Sequence, residues 1–268
     1  VTDPVHALHS PPAAAGPLAG IGVLVTRPAR QAAPFAQRLA VLGASPIVFP
    51  AIAILPPDNA APLRAALAAL AGYDAVVFVS ANAVEHGLPA FGTWPGGLAA
   101  YAPGPGTAEA LAEAGAGDVR LPTASYDSEG LLALPELQAM AGRRVLVLRG
   151  DGGRELLADT LRERGATVDC VTCYRRVRPR DGAGLVEVFA EGRVAAVTVT
   201  SSEGIDNLWA LVDAATRSRW QRLPTFAPHP RIAAHARSLA LQVIETGSGD
   251  AGILAGLIDW AARNPLPR

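Results

Sequence analysis

Residues 143–176 read RRVLVLRGDGGRELLADTLRERGATVDCVTCYRR, and the fold follows from how this stretch is parsed. Val145-Leu146-Val147-Leu148 is an apolar run too short for a helix and suited to a buried strand. The turn Gly150-Asp151-Gly152-Gly153 follows. Residues 155–164 then carry a helical pattern, with Leu156, Leu157 and Leu161 expected on one face. Gly165 is a C-terminal stop, and residues 167–174 read as a second strand. This is one strand–helix–strand unit of a parallel α/β sheet.

The unit occurs twice. Residues 22–50 read GVLVTRPARQAAPFAQRLAVLGASPIVFP and repeat it, with Gly43-Ala44 standing where Gly165-Ala166 stand. Val76-Val77-Phe78-Val79-Ser80 pairs with Val197-Thr198-Val199-Thr200-Ser201. Tyr101-Ala102-Pro103-Gly104-Pro105 pairs with Phe226-Ala227-Pro228-His229-Pro230. The separation along the chain is nearly constant, so the order is A-B-C followed by A′-B′-C′. Extended connectors follow A and A′. If the chain crosses between domains there, one domain is B-C-A′ and the other is A plus B′-C′. Two sequential domains, 20–140 and 141–268, are the simpler alternative.

Composition narrows the classes. The chain has 268 residues, half of them apolar, enough for about two cores. A net charge of −1 gives no global field for nucleic acid or an anionic membrane. Residues 1–19 are rich in Pro and Ala and read as a disordered N-terminal arm without signal-peptide organisation. No apolar run has transmembrane length. With two cysteines and no export signal, the expected location is cytoplasmic.

Ligands of open parallel sheets bind at the carboxyl ends of the strands. Those ends carry Thr26 and Arg27, then Ser80-Ala81-Asn82-Ala83, Gly104 and Thr107, Ser128, Arg149 and Gly150, Thr200-Ser201-Ser202, and His229. Hydroxyls, small residues and backbone N–H groups suit carboxylates or phosphates. The plainer reading is that these residues only cap helices. Sharper motifs fail. The turn 150–153 is not a dinucleotide loop, and there is no lysine for a phosphate loop or a Schiff base. Cys170-Val171-Thr172-Cys173 has no second pair, and alternation puts its thiols on opposite faces. The histidines form no metal spacing, so no metal is expected.

These motifs, in this order, resemble the uroporphyrinogen-III synthase family. They are Val25-Thr26-Arg27-Pro28, Phe78-Val79-Ser80-Ala81-Asn82-Ala83-Val84, Gly104 with Thr107, Ser128-Glu129-Gly130, Leu148-Arg149-Gly150 with Arg154, Gly165-Ala166, Tyr174-Arg175 and Thr200-Ser201-Ser202. They span nearly all of residues 21–258. The family's second Gly-x-x-Thr turn is altered here to His229-Pro230-Arg231-Ile232.

The resemblance implies two similar parallel-sheet, flavodoxin-like α/β domains joined by a two-stranded β-ladder. The first domain is then discontinuous, 20–52 with 174–268, and the second is 53–173. It implies cyclisation of linear hydroxymethylbilane, an octacarboxylate, with loss of water and inversion of ring D. It implies no cofactor, a monomer, and hydroxymethylbilane synthase as a transient partner. Tyr174 matches the family tyrosine suggested as general acid, and the strand-end residues above, with Arg154, become substrate contacts. A non-catalytic anion-binding module of the same fold is the alternative.

Overall fold

The computed structural model describes residues 16–88, 94–153 and 155–264. In chain order the strands are β1 (Gly22–Val25), β2 (Ser45–Val48), β3 (Ala53–Leu55), β4 (Ala75–Phe78), β5 (Ala99–Tyr101), β6 (Asp118–Arg120), β7 (Arg144–Gly150), β8 (Thr167–Val177), β9 (Ala196–Thr198), β10 (Pro224–Ala227) and β11 (Gln242–Glu245). The helices are α1 (Ala29–Val41), α2 (Ala61–Ala68), α3 (Ala81–Gly87), α4 (Pro105–Glu113), α5 (Ser128–Leu132), α6 (Leu156–Glu163), α7 (Ala183–Ala190), α8 (Ser202–Leu211), α9 (Ala214–Trp220), α10 (Pro230–Ser238) and α11 (Gly249–Arg263).

The described chain divides into two compact units, residues up to 53 with those from 177, and residues 54–176. The first holds a five-stranded sheet in the order β11-β10-β9-β1-β2, with parallel pairing throughout. The second holds β3-β8-β7-β4-β5-β6, where every pair from β8 to β6 is parallel. β7 and β8 of the second sheet stand in the positions that β1 and β2 hold in the first. β4, β5 and β6 stand where β9, β10 and β11 do. The repeated segments are therefore built into both sheets, in the chain order second, first, third, fourth, fifth from β2 to β11 in the first sheet and fifth, fourth, first, second, third from β8 to β6 in the second.

Central strands are buried on both faces, which is why they read as continuous apolar runs. β1 and β4 have no exposed residue. One face of the first sheet packs Val23 and Val25 against Phe35 and Leu39 of α1 and Leu257 of α11. Its other face packs Leu24 and Val197 against Ile205 and Leu208 of α8. In the second sheet, Val76, Phe78, Leu146 and Leu148 pack against Val84 and Leu88 beside α3. Val77, Val145 and Val147 pack against Leu157 and Leu161 of α6.

The repeated Gly-Ala pair has a mechanical basis. Gly43 and Gly165 both take φ of +90° immediately after α1 and α6. The Ala44 N–H donates to the Leu39 carbonyl at 3.1 Å and the Ala166 N–H to the Leu161 carbonyl at 3.0 Å. Each is a Schellman stop, which needs the left-handed residue that glycine adopts freely.

Several expectations meet the structure differently. Residues 1–15 of the expected arm lie outside the described residues, but Leu18 is fully buried and its N–H donates to the Leu42 carbonyl at 3.0 Å. The chain is thus anchored before residue 20. Leu156 is 40% exposed rather than facing the sheet. At 100° per residue it turns away from Leu157 and Leu161, and Ala158 completes the buried stripe. β8 runs on to Val177, and the division between the two compact units falls at 176/177. Cys170 and Cys173 pack in the cores on opposite faces of the second sheet, as alternation requires. No helix among the described residues is long and apolar enough to cross a membrane.

Candidate functional site

In the second unit β4 and β7 are adjacent, but their following helices lie on opposite faces, α3 on one and α6 on the other. A crevice opens wherever neighbouring crossovers diverge in this way, at the carboxyl ends of the strands. Here it is a pocket of ≈ 250 Å³ lined by Ser80, Ser128, Arg149, Gly150, Asp151, Tyr174 and Arg176, with Val79, Val147, Gly153, Leu157 and Ala158.

Ser80 ends the β4 turn and caps α3, its Oγ accepting the Ala83 N–H at 3.1 Å. The same Oγ lies 3.1 Å from the Tyr174 hydroxyl. Tyr174 reaches it because β8 carries a bulge. Thr172 pairs with Arg149 and Tyr174 pairs with Gly150, so Cys173 is the extra residue. A bulge re-aims the following side chain, and Cys173 and Tyr174 both join the core on the α3 side. Gly150 makes room: a Cβ there would stand 2.6 Å from Cζ of the Tyr174 ring. The His86 ring lies 6.1 Å from that ring, centroid to centroid.

Two guanidiniums border the pocket. Arg149 pairs with Glu155 at 2.8 Å. Arg176 follows Tyr174 by two residues, and its backbone N–H donates to Asp151 at 3.0 Å. Ser128 is the first residue of α5, but the cap is Asp127, which accepts the Gly130 N–H at 2.8 Å. Ala81, Asn82 and Ala83 form the first turn of α3. Gly104 caps α4 with no side chain of its own, and Thr107 is buried within that helix. Burial pushes the Cys173 thiol up to about 12, so it is an inert packing group. Arg154 lies outside the described residues.

The equivalent crevice of the first unit lies between β1 and β9. The Thr26 hydroxyl donates to the Thr198 carbonyl at 2.8 Å, and the Thr198 hydroxyl donates to the Leu24 carbonyl at 3.0 Å. Arg27 is only 8% exposed. It pairs with Asp250 and lies 4.3 Å over the Phe35 ring, so its charge is already met inside the unit. Ser201 caps α8, accepting the Gly204 N–H at 3.0 Å, with Thr200 before it and Ser202 opening the helix. His229 caps α10, its Nδ1 accepting the Arg231 N–H at 3.1 Å, which fills the altered turn from within. The hydroxyls of Thr26, Thr198 and Ser201 and the His229 imidazole are thus engaged with the unit's own backbone.

A family profile described as Uroporphyrinogen-III synthase HemD matches residues 33–248. The chain belongs to the uroporphyrinogen-III synthase family. A uroporphyrinogen-III synthase of Salmonella typhimurium is 37% identical over 231 residues, covering 84% of this chain and 94% of that protein. That of Escherichia coli is 36% identical over the same length and coverage. Among solved structures, the uroporphyrinogen-III synthetase of Helicobacter pylori aligns over 91% of this chain and 98% of its own, with a TM-score of 0.54 at 13% identity. A Thermus thermophilus uroporphyrinogen III synthase mutant aligns with a TM-score of 0.53 at 21% identity, over 91% of this chain and all of its own. At such identities the structures speak for the parallel-sheet α/β fold.

Within this family frame, the sequence missed Asp151, Arg176 and His86. Tyr174 and Arg176 stand two residues apart in β8, which puts both on one face of the strand. What this spacing does not signal is that a bulge turns that face toward Ser80.

Proposed function

We propose that the chain acts as a hydro-lyase that cyclises linear hydroxymethylbilane to uroporphyrinogen III, with loss of water and inversion of ring D. The observation that carries this reading is the Ser80–Tyr174 hydroxyl pair in a pocket bordered by Arg149 and Arg176. Loss of water needs a proton at the departing hydroxyl, and a carboxylate-rich substrate needs cations near it. The pocket is smaller than the ~300–1,000 Å³ that encloses a drug-sized ligand. It would therefore take one ring and its acid side chains, with the rest of the tetrapyrrole outside it.

Tyr174 is the proton source in this reading. Ser80, Asn82, Gly104, Thr107, Ser128, Arg149 and Gly150 contribute the binding rim, together with Ala81, Ala83 and Arg154. Thr26, Arg27, Thr200, Ser201, Ser202 and His229 form the corresponding rim of the other unit. Arg27 serves mainly to shape it, since its charge is spent on Asp250. The cation left by the departing hydroxyl is stabilised by the substrate's own pyrrole nitrogens, so the protein's task is orientation and proton supply. We further propose two flavodoxin-like domains that have exchanged their first strand–helix–strand unit, linked through β3 and β8. The working form is a cytoplasmic monomer that receives hydroxymethylbilane from its synthase.

The test is incubation with enzymatically made hydroxymethylbilane and separation of the type I and type III isomers. The protein should give type III. Tyr174→Phe should slow it by the ~10²–10⁴-fold typical of lost general acid catalysis, with type I from spontaneous closure taking its place. Type I alone from the unmodified protein would refute the reading.

A further inference from the structure

Ser80 and Tyr174 both line the pocket, but they differ in burial. Tyr174 is only 6% exposed. Its hydroxyl would stand 2.9 Å from a Cβ at Gly150, so the Gly150 backbone covers it on one side. Its partner at 3.1 Å is Ser80 Oγ. Ser80 is half-buried and lines the pocket. A serine oxygen accepts two hydrogen bonds and donates one. The Ala83 N–H occupies one acceptor position at 3.1 Å. The other is open to the Tyr174 proton, which leaves the Ser80 proton free to point into the pocket.

From this geometry we infer that Ser80 delivers the proton to the substrate and that Tyr174 resupplies it from behind. The inference rests on the cyclase reading above and deepens it. In the step, the C–O bond of the hydroxymethyl group breaks as the pyrrole nitrogen supplies electrons. The departing oxygen takes the Ser80 proton and leaves as water, while Ser80 takes the Tyr174 proton. The azafulvenium cation and the Tyr174 phenolate balance each other. The proton that the attacked pyrrole carbon sheds on ring closure returns to the phenolate. Gly150 and the bulge at Cys173 are then positioning features, which hold the phenol against Ser80 rather than touch the substrate.

The test uses the full chain, hydroxymethylbilane and four substitutions, with folding checked by thermal melts. Ser80→Ala removes the hydroxyl and the cap. Ser80→Asn removes the hydroxyl but keeps a capping side chain. Ser80→Thr keeps both. Expected are kcat losses for type III product of roughly 10²–10⁴-fold in Ser80→Ala, Ser80→Asn and Tyr174→Phe, with KM little changed. The Ser80→Ala, Tyr174→Phe double variant should fall no further than either single one, because both remove one relay. Ser80→Thr should recover most of the rate. In mixtures of light and heavy water, the unmodified chain should show the curved rate dependence of two protons in flight. Full activity in Ser80→Ala and Ser80→Asn beside a slow Tyr174→Phe would overturn the relay and leave Tyr174 as the direct donor. An unimpaired Tyr174→Phe would instead strike at the acid assignment itself.

Discussion

Tyr73 shows how a single side chain ties stability to pH. Its hydroxyl donates to Asp169 at 2.7 Å, at the amino end of the second sheet, while Arg144 lies 4.8 Å over the ring. Burial first, and then the Asp169 carboxylate, pushes the phenol from 10.0 up to about 12. A phenol that holds its proton more tightly when folded contributes fully below its unfolded value. That contribution is lost as pH rises from about 10 to about 12. The unmodified chain should therefore exceed Tyr73→Phe in urea midpoint at pH 8, and the gap should close between pH 10 and 12. A gap that stays constant across that range would remove the linkage. Tyr73 stands two residues before β4. Its partner, Asp169, lies in β8, and nothing in the local pattern joins the two. The same holds for Arg27, which reads as a ligand contact at a strand end. Asp250, with which it pairs, is at the far end of the chain.

Elements were more legible than partners, because their signals are local. The strand runs, the Ser80 and Ser201 caps and the Gly43 and Gly165 stops are all written in short patterns. The bulge in β8 is not, since the Tyr174 ring that it seats lies against Gly150, on another strand. Ser128 heads α5, and Asp127 holds its cap one residue earlier. The glycine stops can be weighed against each other. Gly192 has φ of +70° and open space where a Cβ would stand. Gly165 has φ of +90°, and a Cβ there would meet the Ala141 Cα at 2.9 Å. Gly192→Ala should cost about 1 kcal/mol from backbone conformation alone. Gly165→Ala should cost about 2 kcal/mol or more, since the Ala141 backbone must also move. Urea denaturation of the two variants checks the order, and equal costs would show that the contact is relieved without penalty.

At the scale of the whole molecule, the repeat determines which pieces can stand alone. Both apolar clusters of the second sheet are closed within residues 54–176, from Leu63 to Tyr174 on one face and from Ala75 to Val168 on the other. Those of the first sheet draw on residues before 54 and after 176, so that unit is split in sequence. A contiguous unit of this size buries about two-thirds of its unfolded surface and falls within the range that folds independently. The excised fragment 54–176 should therefore unfold cooperatively and keep its near-ultraviolet signal. A fragment of residues 177–264 should not, because it lacks β1 and β2, and β1 pairs with β9 at the centre of its sheet. Fusing residues 16–53 to 177–264 through a flexible linker should restore a cooperative transition, since it returns those strands to their neighbours. If the 54–176 fragment melts without cooperativity, its cores depend on the rest of the chain. The exchanged repeat would then be a single folding unit rather than two.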